Sequence, residues 1–85
     1  MLIKTDLKII EEVINEKKNY KQIAQKINRN LITTALRVKK LKNKGFVKVG
    51  YVLGQGVPRQ AVVGITDKGL QVYNIFRGGN EGQIN

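Results

Sequence analysis

Between Asn19 and Gly45 the sequence NYKQIAQKINRNLITTALRVKKLKNKG has one economical way to bury its apolar residues: two short helices joined by a tight polar turn. Asn19 suits the N-cap of the first helix, with Gln22 three residues on to complete a capping box. Tyr20, Ile23, Ala24 and Ile27 follow at helical spacing, and Asn28, Arg29 and Asn30 then break the apolar pattern. Asn30 is placed to cap the second helix, whose Leu31, Ala35, Val38 and Leu41 share the face expected to meet the core until Gly45 stops it.

What such a helix pair faces is suggested by charge. The 85 residues carry 16 Lys/Arg against 6 Asp/Glu, a formal +10. The first 16 residues hold Asp6, Glu11, Glu12 and Glu16 beside only Lys4 and Lys8. The other 14 cations all lie between Lys17 and Arg77, against Asp67 alone, for a net +13. An anionic partner follows from that asymmetry, because ordinary solvated surfaces mix both signs. Cysteine and histidine are absent, which excludes disulfides, thiolate or imidazole metal sites and histidine acid–base catalysis. No cofactor is expected. No apolar run approaches the roughly 20 residues that span a bilayer, and Met1-Leu2-Ile3 runs straight into charge, unlike a signal peptide. The chain reads as cytoplasmic, nucleoid-associated and without a membrane partner.

The element before this pair is expected from about Asp6 to Lys17, with Thr5 or Asp6 as cap and Lys17-Lys18 at its carbonyl end. Ile3, Leu7, Ile10 and Ile14 form one stripe on it, and Leu2, Ile9 and Val13 a second. Both stripes can pack on one core, or the second can face another subunit; the second reading is preferred for a domain this small. After Gly45, residues 46–53 (FVKVGYVL) read as a strand, residues 54–59 (GQGVPR) as a turn and residues 60–65 (QAVVGI) as the returning strand. Thr66 or Asp67 begins a last helix, which Gly78-Gly79 is expected to end. The fold class expected is therefore α+β, with three helices, a two-stranded β-hairpin wing and a C-terminal helix: one domain over 1–77 and a flexible tail over 78–85.

In that order and spacing, IAQKI (23–27), LRVKKLKNKGFVKV (36–49) and ITDKGLQVY (65–73) resemble a winged helix-turn-helix transcription regulator. The pattern is that of the MarR-like and PadR-like small regulators of bacteria, archaea and archaeal viruses. The resemblance implies sequence-specific binding of double-stranded DNA, with the 31–44 helix in the major groove and the 54–59 wing at the backbone or minor groove. The chain has no room for the long terminal helices of such regulators, and no small-molecule effector is inferred.

On the 31–44 helix the side opposite the expected core face presents Ile32, Thr33, Leu36, Arg37, Lys40, Asn43 and Lys44. Arginine can take two acceptors on guanine, and threonine or an aliphatic carbon can meet a thymine methyl. Ile32, Thr33, Leu36 and Arg37 are the expected base readers, with Lys40 at bases or phosphate; Ile32 and Leu36 can equally pack on a neighbouring strand. Backbone contacts are expected from the free N–H groups of Tyr20, Lys21 and Gln22 and from the Lys21, Arg29, Lys39 and Lys44 side chains. Each of these cations can also be plain solvated charge. In the wing, Arg59 with Gln55 either enters a minor groove or merely solubilises the loop.

No nucleophile–base pair is visible, so the chain is not read as an enzyme. The alternatives are a winged-helix protein-interaction module of a transcription or replication assembly, or a non-specific architectural nucleic-acid binder. Surplus apolar surface at Leu2, Ile9, Val13, Val72, Ile75 and Phe76 points to a homodimer on a two-fold site, as against a monomer wrapped by its own terminal helices.

Overall fold

A computed structural model describes residues 2–52 and 60–84. The order of elements is α1 (Lys4–Val13), β1 (Lys18–Asn19), α2 (Tyr20–Ile27), α3 (Leu31–Asn43), β2 (Val47–Val52), β3 (Gln60–Ile65) and α4 (Asp67–Ile84). The sheet is antiparallel in the order β1-β3-β2, so β3 is central. Val47 pairs with Ile65 and Val52 with Gln60, while Lys18 and Asn19 pair with Val63 and Val62.

The capping residues behave as their chemistry dictates. Asn19 Oδ1 accepts from the Gln22 N–H at 2.8 Å, and Gln22 Oε1 accepts from the Asn19 N–H at 2.9 Å, which closes the capping box of α2. Asn28 leaves α2 in the left-handed region (φ 58°), a conformation that asparagine tolerates better than most side chains. Asn30 Oδ1 accepts from the Thr33 N–H at 2.7 Å and starts α3. At the far end Gly45 takes φ 82°. Its N–H donates to Lys42 O and that of Phe46 to Leu41 O, the paired bonds of a Schellman stop.

Four expectations change. The first helix spans Lys4–Val13 rather than 6–17, because Asp6 does not cap it but sits at its third position, accepting from the Ile3 N–H at 3.0 Å. Lys18 therefore belongs not to a helix end but to β1, a third strand too short to show a pattern in sequence. Lys18 Nζ holds that strand to α1 through Glu12 Oε1 at 2.9 Å. The α4 backbone continues through Gly78-Gly79 to Ile84, where Gly78-Gly79 had been expected to end it.

The fourth change concerns which faces are inside. The core is Ile9, Ile10, Val13, Ile23, Ile27, Val38, Leu41, Val47 and Val63, with Leu2, Ile14, Tyr20, Phe46, Val49, Ile65 and Tyr73 packed around it. Ile9 and Val13, assigned above to a partner subunit, are thus wholly buried within the chain. The cause is Asp6, which shares the face of Ile9, Ile10 and Val13 at i, i+3, i+4 and i+7 and is itself fully buried. With a carboxylate in that row, Ile9 and Val13 are recognised as core only through the partners that satisfy Asp6. On α3 the buried row is Thr34, Val38 and Leu41, while Leu31 is exposed. Thr34 can stand in the core because its Oγ1 donates to Asn30 O at 2.9 Å.

A second clasp roots α4. Thr66 Oγ1 donates to Gly45 O at 2.6 Å and accepts from the Gly69 N–H at 3.0 Å. Lys68 Nζ donates to Lys44 O at 2.9 Å and lies 5.1 Å from the centre of the Phe46 ring, within cation–π range. A Cβ on Gly69 would stand 2.0 Å from Phe46 O, so only glycine fits there.

Candidate nucleic-acid interface

Burying Thr34, Val38 and Leu41 turns the opposite side of α3 to solvent. At 100° per residue the outermost row is Ile32, Leu36, Lys39 and Asn43, spaced i, i+4, i+7 and i+11. Ile32 is 74% exposed and Leu36 57%, so neither packs on a strand. Lys39, Lys40, Lys42 and Lys44 are all exposed around and beyond them. Thr33 is half-buried at the flank of this row, with its N–H already bound to Asn30.

Arg37 takes a different course from the one expected. Its Nε donates to Asp6 Oδ1 at 2.8 Å and its Nη2 to Asp6 Oδ2 at 2.6 Å, so the guanidinium points along the protein toward α1. Its side chain is only 18% exposed. Burial pulls the Asp6 carboxyl upward, but the Arg37 hydrogen bonds, the Ile3 N–H and the charges of Arg37 and Lys44 outweigh it and hold the pKa below the ordinary value. Asp6 in turn raises the Arg37 pKa.

Of the expected backbone contacts, Lys21, Gln22, Arg29, Lys39 and Lys44 are exposed. The Gln22 N–H is satisfied by Asn19, which removes it from the set of free donors. Tyr20 is half-buried against the core, and burial together with nearby Tyr51 raises its phenol pKa. Arg29 lines an open pocket of about 440 Å³ with Ile3, Thr5, Asn28, Asn30, Thr33 and Arg37, between the start of α1 and the turn before α3. Gln55 and Arg59 of the expected wing lie outside the described residues. Tyr51 and Val52, at the described end of β2, are exposed.

The residues expected at a dimer interface divide by helix. On α1, Ile9 and Val13 are buried and Leu2 is half-buried. On α4, Val72 is half-buried, Phe76 exposed and Ile75 72% exposed. Sequence reasoning missed Asp6 and Thr34, since a charged and a polar residue in core rows are recognised only through their partners. It touched Lys68 and Gly69 only as part of a motif, and Thr66 only as one of two starts for the last helix. Among the described residues no helix is long and apolar enough to cross a membrane.

The winged helix-turn-helix DNA-binding family profile matches residues 4–48, just over half of the 85-residue chain. No curated protein gives a match. Among solved structures, Bacillus subtilis PadR in complex with operator DNA superposes with a TM-score of 0.75 at 14% identity, over 84% of this chain and 45% of that one. The PadR family transcription regulator of Clostridium difficile R20291 gives 0.81 at 18% identity, over 88% of this chain and 84% of that one. The homodimeric winged helix-turn-helix DNA-binding domain Mb0332 of Mycobacterium bovis gives 0.78 at 16% identity, over 94% and 70%. This chain therefore spans less than half the length of the B. subtilis protein but most of the other two. The profile match to helices α1–α3 and the start of β2 makes this chain a member of the winged helix-turn-helix DNA-binding family.

Proposed function

We propose that the chain is a transcription regulator that binds specific sequences of double-stranded DNA as a homodimer, with α3 in the major groove. The observation that carries this reading is the outward row of α3. Ile32 and Leu36 stand free in solvent at its first turns, and Lys39, Lys40, Lys42 and Lys44 surround and follow them. A helix of this kind fits the major groove, where its N-terminal half reaches bases and its cations meet phosphates. The solved PadR structure contains operator DNA, and the Mb0332 domain is homodimeric, which supports both halves of the proposal.

In this reading Ile32, Leu36 and Lys40 face bases, with Thr33 at the margin, while Lys21, Arg29, Lys39 and Lys44 neutralise phosphate. The dimer is built on α4, through Val72, Ile75 and Phe76, since α1 has spent its apolar row on the core. Two α3 helices then enter successive major grooves about 34 Å apart, so the site is an inverted repeat. No effector, cofactor or catalytic step is required, and the protein works inside the cell, at the nucleoid.

Selection of bound duplexes from a random pool, followed by footprinting, tests this. An enriched inverted repeat, bound more tightly than random duplex and single strand, is the expected result. Equal affinity for all three would discard it.

A further inference from the structure

We propose that Ile32 and Leu36 set sequence specificity by contacting thymine methyl groups, so that each half-site places thymines beneath these two side chains. The inference rests on the DNA-binding reading above and specifies what its central contact recognises.

Three observations converge on it. Ile32 and Leu36 are 74% and 57% exposed on the outward row, where they contribute nothing to the core. They are one turn apart, about 6 Å along the helix, which is close to the rise of two stacked bases. The only arginine of α3, Arg37, gives Nε and Nη2 to Asp6. Guanine is most often read by a bidentate arginine, and that option is thereby withdrawn from this helix.

What remains at its outermost N-terminal positions is aliphatic. In the major groove the one apolar group that a base presents is the C5-methyl of thymine. The surrounding Lys39, Lys40, Lys42 and Lys44 match a phosphate-flanked groove rather than the apolar surface of a protein partner. Duplex RNA is disfavoured as well, because its major groove is closed to side chains.

Replacing thymine by deoxyuridine removes the methyl and leaves every hydrogen-bonding edge intact. The full chain is used to enrich a duplex from a random pool, and each thymine of that duplex is then changed singly to deoxyuridine. Affinity is read by fluorescence anisotropy at fixed salt. The expected result is a loss of roughly fourfold at each of two positions per half-site, the effect of one buried methyl. Ile32→Ala should abolish the penalty at one of these positions and Leu36→Ala at the other. Both variants should keep the wild-type melting temperature, because the side chains are exposed. Equal binding of thymine and deoxyuridine throughout an enriched site would overturn the methyl contact while leaving DNA recognition standing. So would a penalty that both variants retain. Failure to enrich any duplex would overturn the DNA reading itself.

Discussion

Asp6 on α1 and Arg37 on α3 meet in a two-pronged ion pair, with bonds of 2.8 and 2.6 Å, across 31 residues of sequence. The carboxylate is fully buried and takes a third bond from the Ile3 N–H. Planar, bidentate geometry fixes direction as well as distance, so the pair sets how α3 lies against α1.

Arg37→Ala should therefore act on stability before it acts on recognition. Removing one partner strands a buried charge, at a cost of about 3–5 kcal/mol in urea unfolding. Asp6→Leu combined with Arg37→Met should recover much of the loss, because an apolar pair of similar volume needs no compensation. For folded Arg37→Ala at low temperature, the ratio of specific to random-DNA affinity should match wild type. A selective loss at the preferred site would restore Arg37 to the base-reading set.

Acid should expose the same pair. The Arg37 guanidinium and the Ile3 N–H hold the Asp6 carboxyl below its ordinary value in the folded chain, so between the two values the unfolded chain binds more protons. The contribution is fully present above the unfolded pKa and is lost as pH falls through the folded one. Stability should hold from neutrality to about pH 4 and decline below it. Asp6→Asn should be less stable at pH 7 and should lose part of that acid slope. Parallel pH profiles for the two proteins would contradict the assignment.

Lys39→Ala should weaken binding to every duplex alike and lower the slope of log affinity against log salt by about one phosphate contact. The outward row places Lys39 beside Leu36, so a loss confined to one sequence would instead make it a base reader.

Gly69→Ala should destabilise the fold by about 1–3 kcal/mol, the usual cost of overpacking, because the new methyl meets the Phe46 carbonyl and Ile65 Cδ1. Thermal melting checks this. A neutral effect would show that α4 is not seated as described.

Ile75→Glu should leave the fold intact and shift sedimentation toward the 9.6 kDa monomer, with weaker binding to two-fold sites. Val13→Glu should unfold the chain, since Val13 lies in the core. A wild type that sediments as a monomer while bound singly to an asymmetric site would remove the dimer.

Legibility in the sequence followed the range of the interactions. The caps at Asn19 and Asn30 and the stop at Gly45 rest on contacts within a few residues, and each could be read from spacing, while the 60–65 strand was legible from its β-branched residues after a turn signal. Asp6 could not, because its place in the core depends on Arg37 far along the chain. The orientation of α1 was lost with it, and so was the distinction between the core row and the supposed partner row. The two-residue β1 exists only because β3 lies beside it. Exposure of Ile32 and Leu36 could not be decided between groove and strand until the position of the sheet was known.

The clasp of Thr66 and Lys68 on Lys44 and Gly45 joins the root of α4 to the end of α3. The two helices form a single crank whose elbow these hydrogen bonds hold. In a pair of subunits held through α4, the reach from one groove to the next is then a property of that elbow. Loosening it by Thr66→Val should change how many base pairs are preferred between half-sites, and leave the bases within each half-site as they were.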